Sequence, residues 1–214
     1  MIRFLIGYIF IFLGSFGWSQ SNTIQWESDH KLEWQYFAGL PQAGSHHHAL
    51  TASGISIDMK QSSEDSVSIT IDANFYPKRS WLKKGKETDH LLNHEQRHFD
   101  IAEIYRRKLV KSILTSGILK TKSINEDIDK VYTDNDAALR SYQNKYDEET
   151  KHSQRQGIQD QWNTRVDEEL LSLEEYNIHV IKFPLDLILK STSKTTTETT
   201  TTKKRKRKKR RKRR

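Results

Sequence analysis

The chain of 214 residues has no cysteine, only three prolines, and an apolar fraction of 34%. Without cysteine there is no disulfide framework, no thiolate zinc site, no cysteine nucleophile and no lipoprotein anchored through that residue. The scarcity of apolar residues, with a mean hydropathy of −0.83, excludes a polytopic membrane protein. Basic charge is also scarcer than it first looks. The formal net charge is +8, but Lys203–Arg214 are twelve basic residues in succession, and without them 24 Lys and Arg face 28 Asp and Glu, leaving −4. The body is mildly acidic and carries a cationic tail. Its length suits one domain of ordinary size or two small ones.

Both ends read as something other than packed structure. Residues 1–19 have the form of a secretory signal peptide: Arg3 supplies the positive start, and Phe4 to Trp18 form an uncharged apolar stretch. That stretch is shorter than the ~18–20 residues needed to span a bilayer. Gly17 and Ser19 are small residues suited to cleavage before Gln20. Export to the periplasm, the cell envelope or the medium is expected, with no membrane span left after processing. From residue 190 the chain becomes a Thr-rich tether, expected to be disordered, followed by the polybasic run. Lys203–Arg214 suit non-specific adhesion to anionic envelope polymers or lipid headgroups. No aromatic residue is interleaved for base stacking, and a specific nucleic-acid partner is not expected.

Residues 20–189 read as a single α+β domain. Short strands are expected around Ile24–Trp26, Lys31–Trp34 and Ala49–Met59. From Val67 to Phe75 alternation is strict, with Val67, Ile69, Ile71, Ala73 and Phe75 on one face of a half-buried antiparallel strand. A long helix is expected from Thr88 to Leu114, stopped by Gly117, then helices over 124–146 and 157–176. Strands followed by helices predict a short antiparallel sheet with helices covering one face.

The chemistry is concentrated in His94-Glu95-Gln96-Arg97-His98, an HExxH sequence on the long helix. Positions i and i+4 differ by about 40° in direction and lie one turn apart. Both imidazoles can therefore close on one cation, while Glu95, about 100° round the helix from His94, can take a proton from a water beside it. Zinc lowers the pKa of such a water towards ~7. The alternative is two helical histidines with ordinary packing and capping roles.

A zinc site of this kind needs a third protein ligand. Asp100 and Glu103 point about 200° and 140° away from His98 and suit other partners. His90 is a further turn back along the same stripe, His46-His47-His48 form a loop cluster, and His30 and His179 are isolated. His152 follows a helix, in the setting Tyr146-Asp147-Glu148-Glu149-Thr150-Lys151-His152-Ser153.

Several segments together carry a resemblance. Trp34, the stretch Thr51-Ala52-Ser53-Gly54-Ile55, the run Leu91 to Glu103, and the later Tyr146, Asp147, Thr150, His152 and Trp162 resemble a bacterial family of unknown function described as predicted secreted zinc-dependent proteases. The likeness covers most of residues 26–175. It implies that His94 and His98 bind metal, that Glu95 is the general base, and that His152 is the third ligand. It thus implies an exported zinc metallopeptidase acting on a peptide or protein substrate. Two departures stand out: Ser153 occupies the place of a glycine, and Arg97 puts a positive charge inside HExxH, where it must turn outward or pair with an acid. The competing expectation is a non-catalytic cell-envelope protein with a structural or vestigial metal site and an anion-binding tail.

Overall fold

The computed structural model describes residues 23–184 apart from Lys122. The segment expected to be a signal peptide and the expected tether with its basic tail lie outside the described residues. Strand β4 (Ser66–Phe75) is the centre of the sheet. It pairs along one edge with β3 (Ser53–Gln61), from Ser53 opposite Phe75 to Gln61 opposite Val67. Its other edge takes β1 (Ile24–Gln25) at one end and β6 (Val180–Pro184) at the other. All these pairings are antiparallel. The expected alternation holds: Ile69, Ile71, Ala73 and Phe75 are fully buried and Val67 nearly so. A separate ribbon joins β2 (Ala49–Leu50) to β5 (Trp81–Leu82). The strand expected over Lys31–Trp34 does not form, and Trp34–Tyr36 make a 3-10 turn instead.

Three helices complete the domain. Helix α1 (Asp89–Thr115) starts where Thr88 caps it, its hydroxyl accepting the Leu91 N–H at 3.1 Å. It ends before Gly117, whose φ of +79° is the left-handed turn that glycine adopts without penalty. Helix α2 (Ile124–Thr150) extends a full turn beyond its expected end at Tyr146. Helix α3 (Gln156–Ser172) is followed by a 3-10 turn over Glu174–Tyr176. The architecture is the expected α+β, a short antiparallel sheet with three helices. Among the described residues, no helix is long and apolar enough to cross a membrane.

Helix α1 is more than a cover for the sheet. It touches β3 and β4 on one side and α2 and α3 on the other, and every residue from Phe99 to Arg107 is buried except for the partial exposure that begins at Lys108. Ile101, Ile104, Leu109 and Ile113 fill the main core with Ile69, Ile71, Tyr146 and Trp162. Burying a helix all round would strand its charges, so they are paired internally. Glu103, fully buried, accepts from Arg106 Nε (2.6 Å) and Arg107 Nε (2.7 Å). The guanidiniums continue to the carbonyls of Ile178 and Leu170, both at 2.9 Å, tying α1 to the chain that leads into β6 and to α3.

Candidate metal centre

Helix α1 sets His94 and His98 on one face, with ring centroids 5.0 Å apart. The hydroxyls of Thr51 and Ser53, on the stretch from β2 into β3, donate to the backbone carbonyls of Glu95 (3.1 Å) and His98 (3.3 Å). They fasten the strand region to the turn that carries the histidines. From the other side comes the Tyr146 ring on α2. It stacks on His94 at 4.6 Å and meets His98 edge-on at 5.0 Å, forming a wall against both imidazoles.

The extra turn of α2 brings up a residue that the motif does not contain. Asp147 Oδ1 lies 3.1 Å from His94 Nε2 and 3.1 Å from His98 Nε2. These three donor atoms all lie within 4.8 Å of one another. His152, expected as the third ligand, is outside that group, although its Nδ1 is also 3.1 Å from Asp147 Oδ1. Two atoms that share one oxygen at that distance are at most twice it apart, so His152 borders the centre. The Asp147 signal in the sequence was its place one helical turn after Gln143 and directly after Tyr146. Reading it required knowing that the helix continues.

The remaining nitrogens of the two histidines are also held. His94 Nδ1 faces Gln159 Oε1 at 3.0 Å, and His98 Nδ1 faces Gln143 Oε1 at 3.2 Å. Gln159 is oriented by its own donors, which go to the Tyr146 hydroxyl (2.6 Å) and Asn163 Oδ1 (3.0 Å). A glutamine oxygen accepts only, so each Nδ1 donates to its glutamine, and each Nε2 is the nitrogen that faces Asp147. With each Nδ1 held by a glutamine, two Nε2 atoms and one carboxylate oxygen converge as a donor set that could hold a cation. The two separations of 3.1 Å from Asp147 Oδ1 are close to the ~3.3 Å edge of a tetrahedron with ~2.0 Å bonds. The residues present therefore fit a divalent ion, with the second-sphere hydrogen bonds typical of metal-bound histidine.

The same preference for positive charge appears in the titration of these groups. Burial pulls the His98 pKa down, but the hydrogen bond and charge of Asp147, with the charge of Glu95, outweigh it and leave it raised. Burial pushes Asp147 up, and the hydrogen bonds from His94 and His98 overcome it, holding the carboxyl well below the usual range.

Glu95 lies beside the centre, only 3% exposed, and its Oε2 has no hydrogen-bond partner. It lines a cavity of about 320 Å³ together with His94, His98, Asp147 and His152. His47 and His48 also line it, and the His47 ring meets the His152 ring edge-on at 4.3 Å. Arg97, the charge inside the motif, turns away from the cavity: Nη1 donates to Asp100 Oδ2 (3.1 Å) and Asp167 Oδ1 (2.5 Å), and Nε to Asn163 Oδ1 (3.1 Å). Asp100 is fully buried and serves structure, accepting from Trp26 Nε1 (2.9 Å) and Gln96 Nε2 (2.8 Å).

The family model for a bacterial protein of unknown function, DUF922, matches residues 27–153. The chain belongs to this family. The DUF922 match contains every residue of the donor group, Glu95 and His152, and stops at the turn that carries His152. It does not reach α3, so Gln159, which orients His94, comes from outside the matched segment. No curated protein and no solved structure matches the chain.

The structure also settles where the tyrosines near the site point. Tyr142 and Tyr146 do not line the cavity and are not placed to donate to an oxyanion there. The Tyr142 hydroxyl donates to Glu169. The fully buried Tyr146 hydroxyl donates to the His94 carbonyl at 3.3 Å. His90 Nε2 meets the Ser153 carbonyl, and His179 Nδ1 meets Asp72 at 2.8 Å, so neither is a metal ligand here.

Proposed function

We propose that this chain is an exported, metal-dependent hydrolase, a zinc peptidase in which His94, His98 and Asp147 hold the ion and Glu95 is the general base. The reading rests on one observation. Three donor atoms converge beside a buried carboxylate oxygen that has no partner, and the same cavity reaches them all. Two imidazoles and a carboxylate oxygen favour zinc on ligand type.

When bound, the ion would supply Lewis acidity and lower the pKa of a water at its open position. The chain's residues do the rest. Gln159 and Gln143 fix the tautomer of the two histidines. Glu95 takes the proton of the attacking water through Oε2 and passes it to the leaving amine as the amide C–N bond breaks. His152, its Nδ1 3.1 Å from Asp147 Oδ1, orients that carboxylate. An open cavity beside the donors favours this over a structural site, which would be closed.

Metal analysis of the purified chain, wild type and variants, tests the assignment. Stoichiometric zinc is expected, lost in Asp147→Ala and retained in His152→Ala. Glu95→Gln should keep the metal and lose at least about a hundredfold in peptide hydrolysis. Zinc that survives Asp147→Ala, or full turnover in Glu95→Gln, overturns the reading. The signal-peptide segment supports export, and recovery of the chain without residues 1–19 from outside the cytoplasm checks it.

A further inference from the structure

The cavity has a second pole. Opposite in charge to Glu95 and Asp147, Arg79 is the only lysine or arginine among the described residues that lines it. Arg79 ends the 3-10 turn Pro77–Arg79, and that turn is rigidly mounted. The Ser80 hydroxyl, fully buried, donates to the Tyr76 carbonyl (2.9 Å) and accepts from the Ala52 N–H (2.9 Å). Gly39 N–H donates to the Ser80 carbonyl at 2.8 Å. A Cβ on Gly39 would stand 2.7 Å from that oxygen, so only glycine permits the approach. The guanidinium itself lies over the Tyr76 ring, 4.9 Å from its centroid. That contact holds the planar fork without using its N–H donors.

Among the described residues, no carboxylate pairs with Arg79, although most arginines near the site are engaged: Arg97 with Asp100 and Asp167, Arg106 and Arg107 with Glu103. One cavity thus holds an exposed arginine fork with no carboxylate on it at one place and the buried, unpartnered Glu95 Oε2 at another. An arginine fork selects planar, bidentate anions, above all carboxylates. A volume of about 320 Å³ is at the small end of ligand pockets, which favours a chain end over the middle of a long peptide.

From this geometry we infer that Arg79 anchors the terminal carboxylate of a peptide substrate, so that the bond presented to the metal centre lies near the C-terminus. The inference deepens the peptidase reading and rests on it for the word substrate, but the anchor itself is a binding claim. It requires no new chemical step beyond the hydrolysis already described.

Three probes separate the sources of the carboxylate: N-acetyl-dialanine with a free terminus, its C-terminal amide, and an N-acetyl-glutamyl-alanine amide whose only acid is a side chain. Their affinities for the purified chain are measured by calorimetry, with and without added zinc. The free acid is expected to bind about tenfold more tightly than its amide, with the side-chain acid behaving like the amide. Arg79→Gln should erase the difference without changing metal content, and Arg79→Lys should keep part of it. Equal binding of acid and amide, failure of all three probes to bind, or a preference that survives Arg79→Gln overturns the proposal. A side-chain acid that binds as tightly as the terminal one overturns the assignment to the chain end. Metal content and hydrolysis in the same samples judge the peptidase reading separately. A chain that prefers the acid but holds no zinc refutes that reading alone, and a zinc-loaded, active chain indifferent to the terminus refutes this one alone.

Discussion

At the scale of single residues, the turn after α2 is unusual. Lys151, His152 and Ser153 have φ of 51°, 50° and 69°, three consecutive left-handed residues without a glycine among them. Such a conformation costs an L-residue roughly 1–2 kcal/mol. It persists because the turn is tied from both sides: His152 N–H reaches the Asp147 carbonyl at 3.0 Å, Arg155 N–H reaches that of Thr150 at 3.0 Å, and His90 meets Ser153. The strain is what folds His152 back onto Asp147. Ser153→Gly should therefore stabilise the fold by about 0.5–1 kcal/mol, read as a rise in thermal midpoint, with metal binding unchanged. A fall in the midpoint would mean that the turn is not strained. Gln159 offers a second residue-scale test. Gln159→Leu removes the acceptor for His94 Nδ1 and frees the imidazole tautomer, and metal affinity should drop about 10–100-fold in a competition titration while the fold is retained. Unchanged affinity would show that the glutamine does not orient the ligand.

At the scale of elements, the site is a junction of α1 and α2 pinned by the stretch between β2 and β3. Thr51→Val with Ser53→Ala removes two hydroxyl bonds to the carbonyls of Glu95 and His98. Destabilisation of about 1–3 kcal/mol for the pair is expected in denaturant melts, and a loss below about 0.5 kcal/mol would show that the strap is ornamental. The element scale also shows which parts of the molecule could be read in advance. Strand β4 and helix α1 were legible because each has a regular apolar period and α1 has both stop signals, Thr88 and Gly117. The apolar stripe of α2 gives out at Tyr146, because Asp147-Glu148-Glu149 offers no apolar residue to extend it. What carries the helix on is the burial of Tyr146 and Thr150 and a left-handed lysine that ends it. The same ambiguity hid Asp147. Three neighbouring acids look alike in one dimension, and only the helical phase turns one of them to the histidines. HExxH announced two imidazoles and the base, because its spacing is itself a statement of helical geometry. The short strands β5 and β6 owe their form to pairing with distant segments and had no local signal strong enough to be read.

At the scale of the whole molecule, α1 is a charged helix whose middle, from Phe99 to Arg107, is buried all round, and there one carboxylate serves two guanidiniums. Glu103→Leu leaves Arg106 and Arg107 buried without their shared partner, which costs about 3–5 kcal/mol, a large share of the ~5–15 kcal/mol that holds a domain together, read as a clear fall in thermal midpoint. A native-like melt for that variant would show that the arginines find other acceptors. Metal should act on the whole domain as well. Zinc at about a hundredfold excess over its Kd adds ~2.7 kcal/mol, a rise of roughly 5–10 °C in Tm for a domain of this size. Melts that coincide in zinc and in chelator would refute a bound ion.

The donor group draws on two helices whose contributing turns, around His94–His98 and Asp147, are some fifty positions apart along the chain. An ion seated there would act as a rivet, closing a long loop of polypeptide through coordination where a cysteine-free protein has no covalent means to do so. On the proposed reading, the toughness of this protein then follows the ion supply around it. In ion-poor surroundings the rivet is out, the end of α2 swings free, and trimming by other proteases should begin near residues 147–155. In ion-rich surroundings the same peptide bonds should survive for much longer.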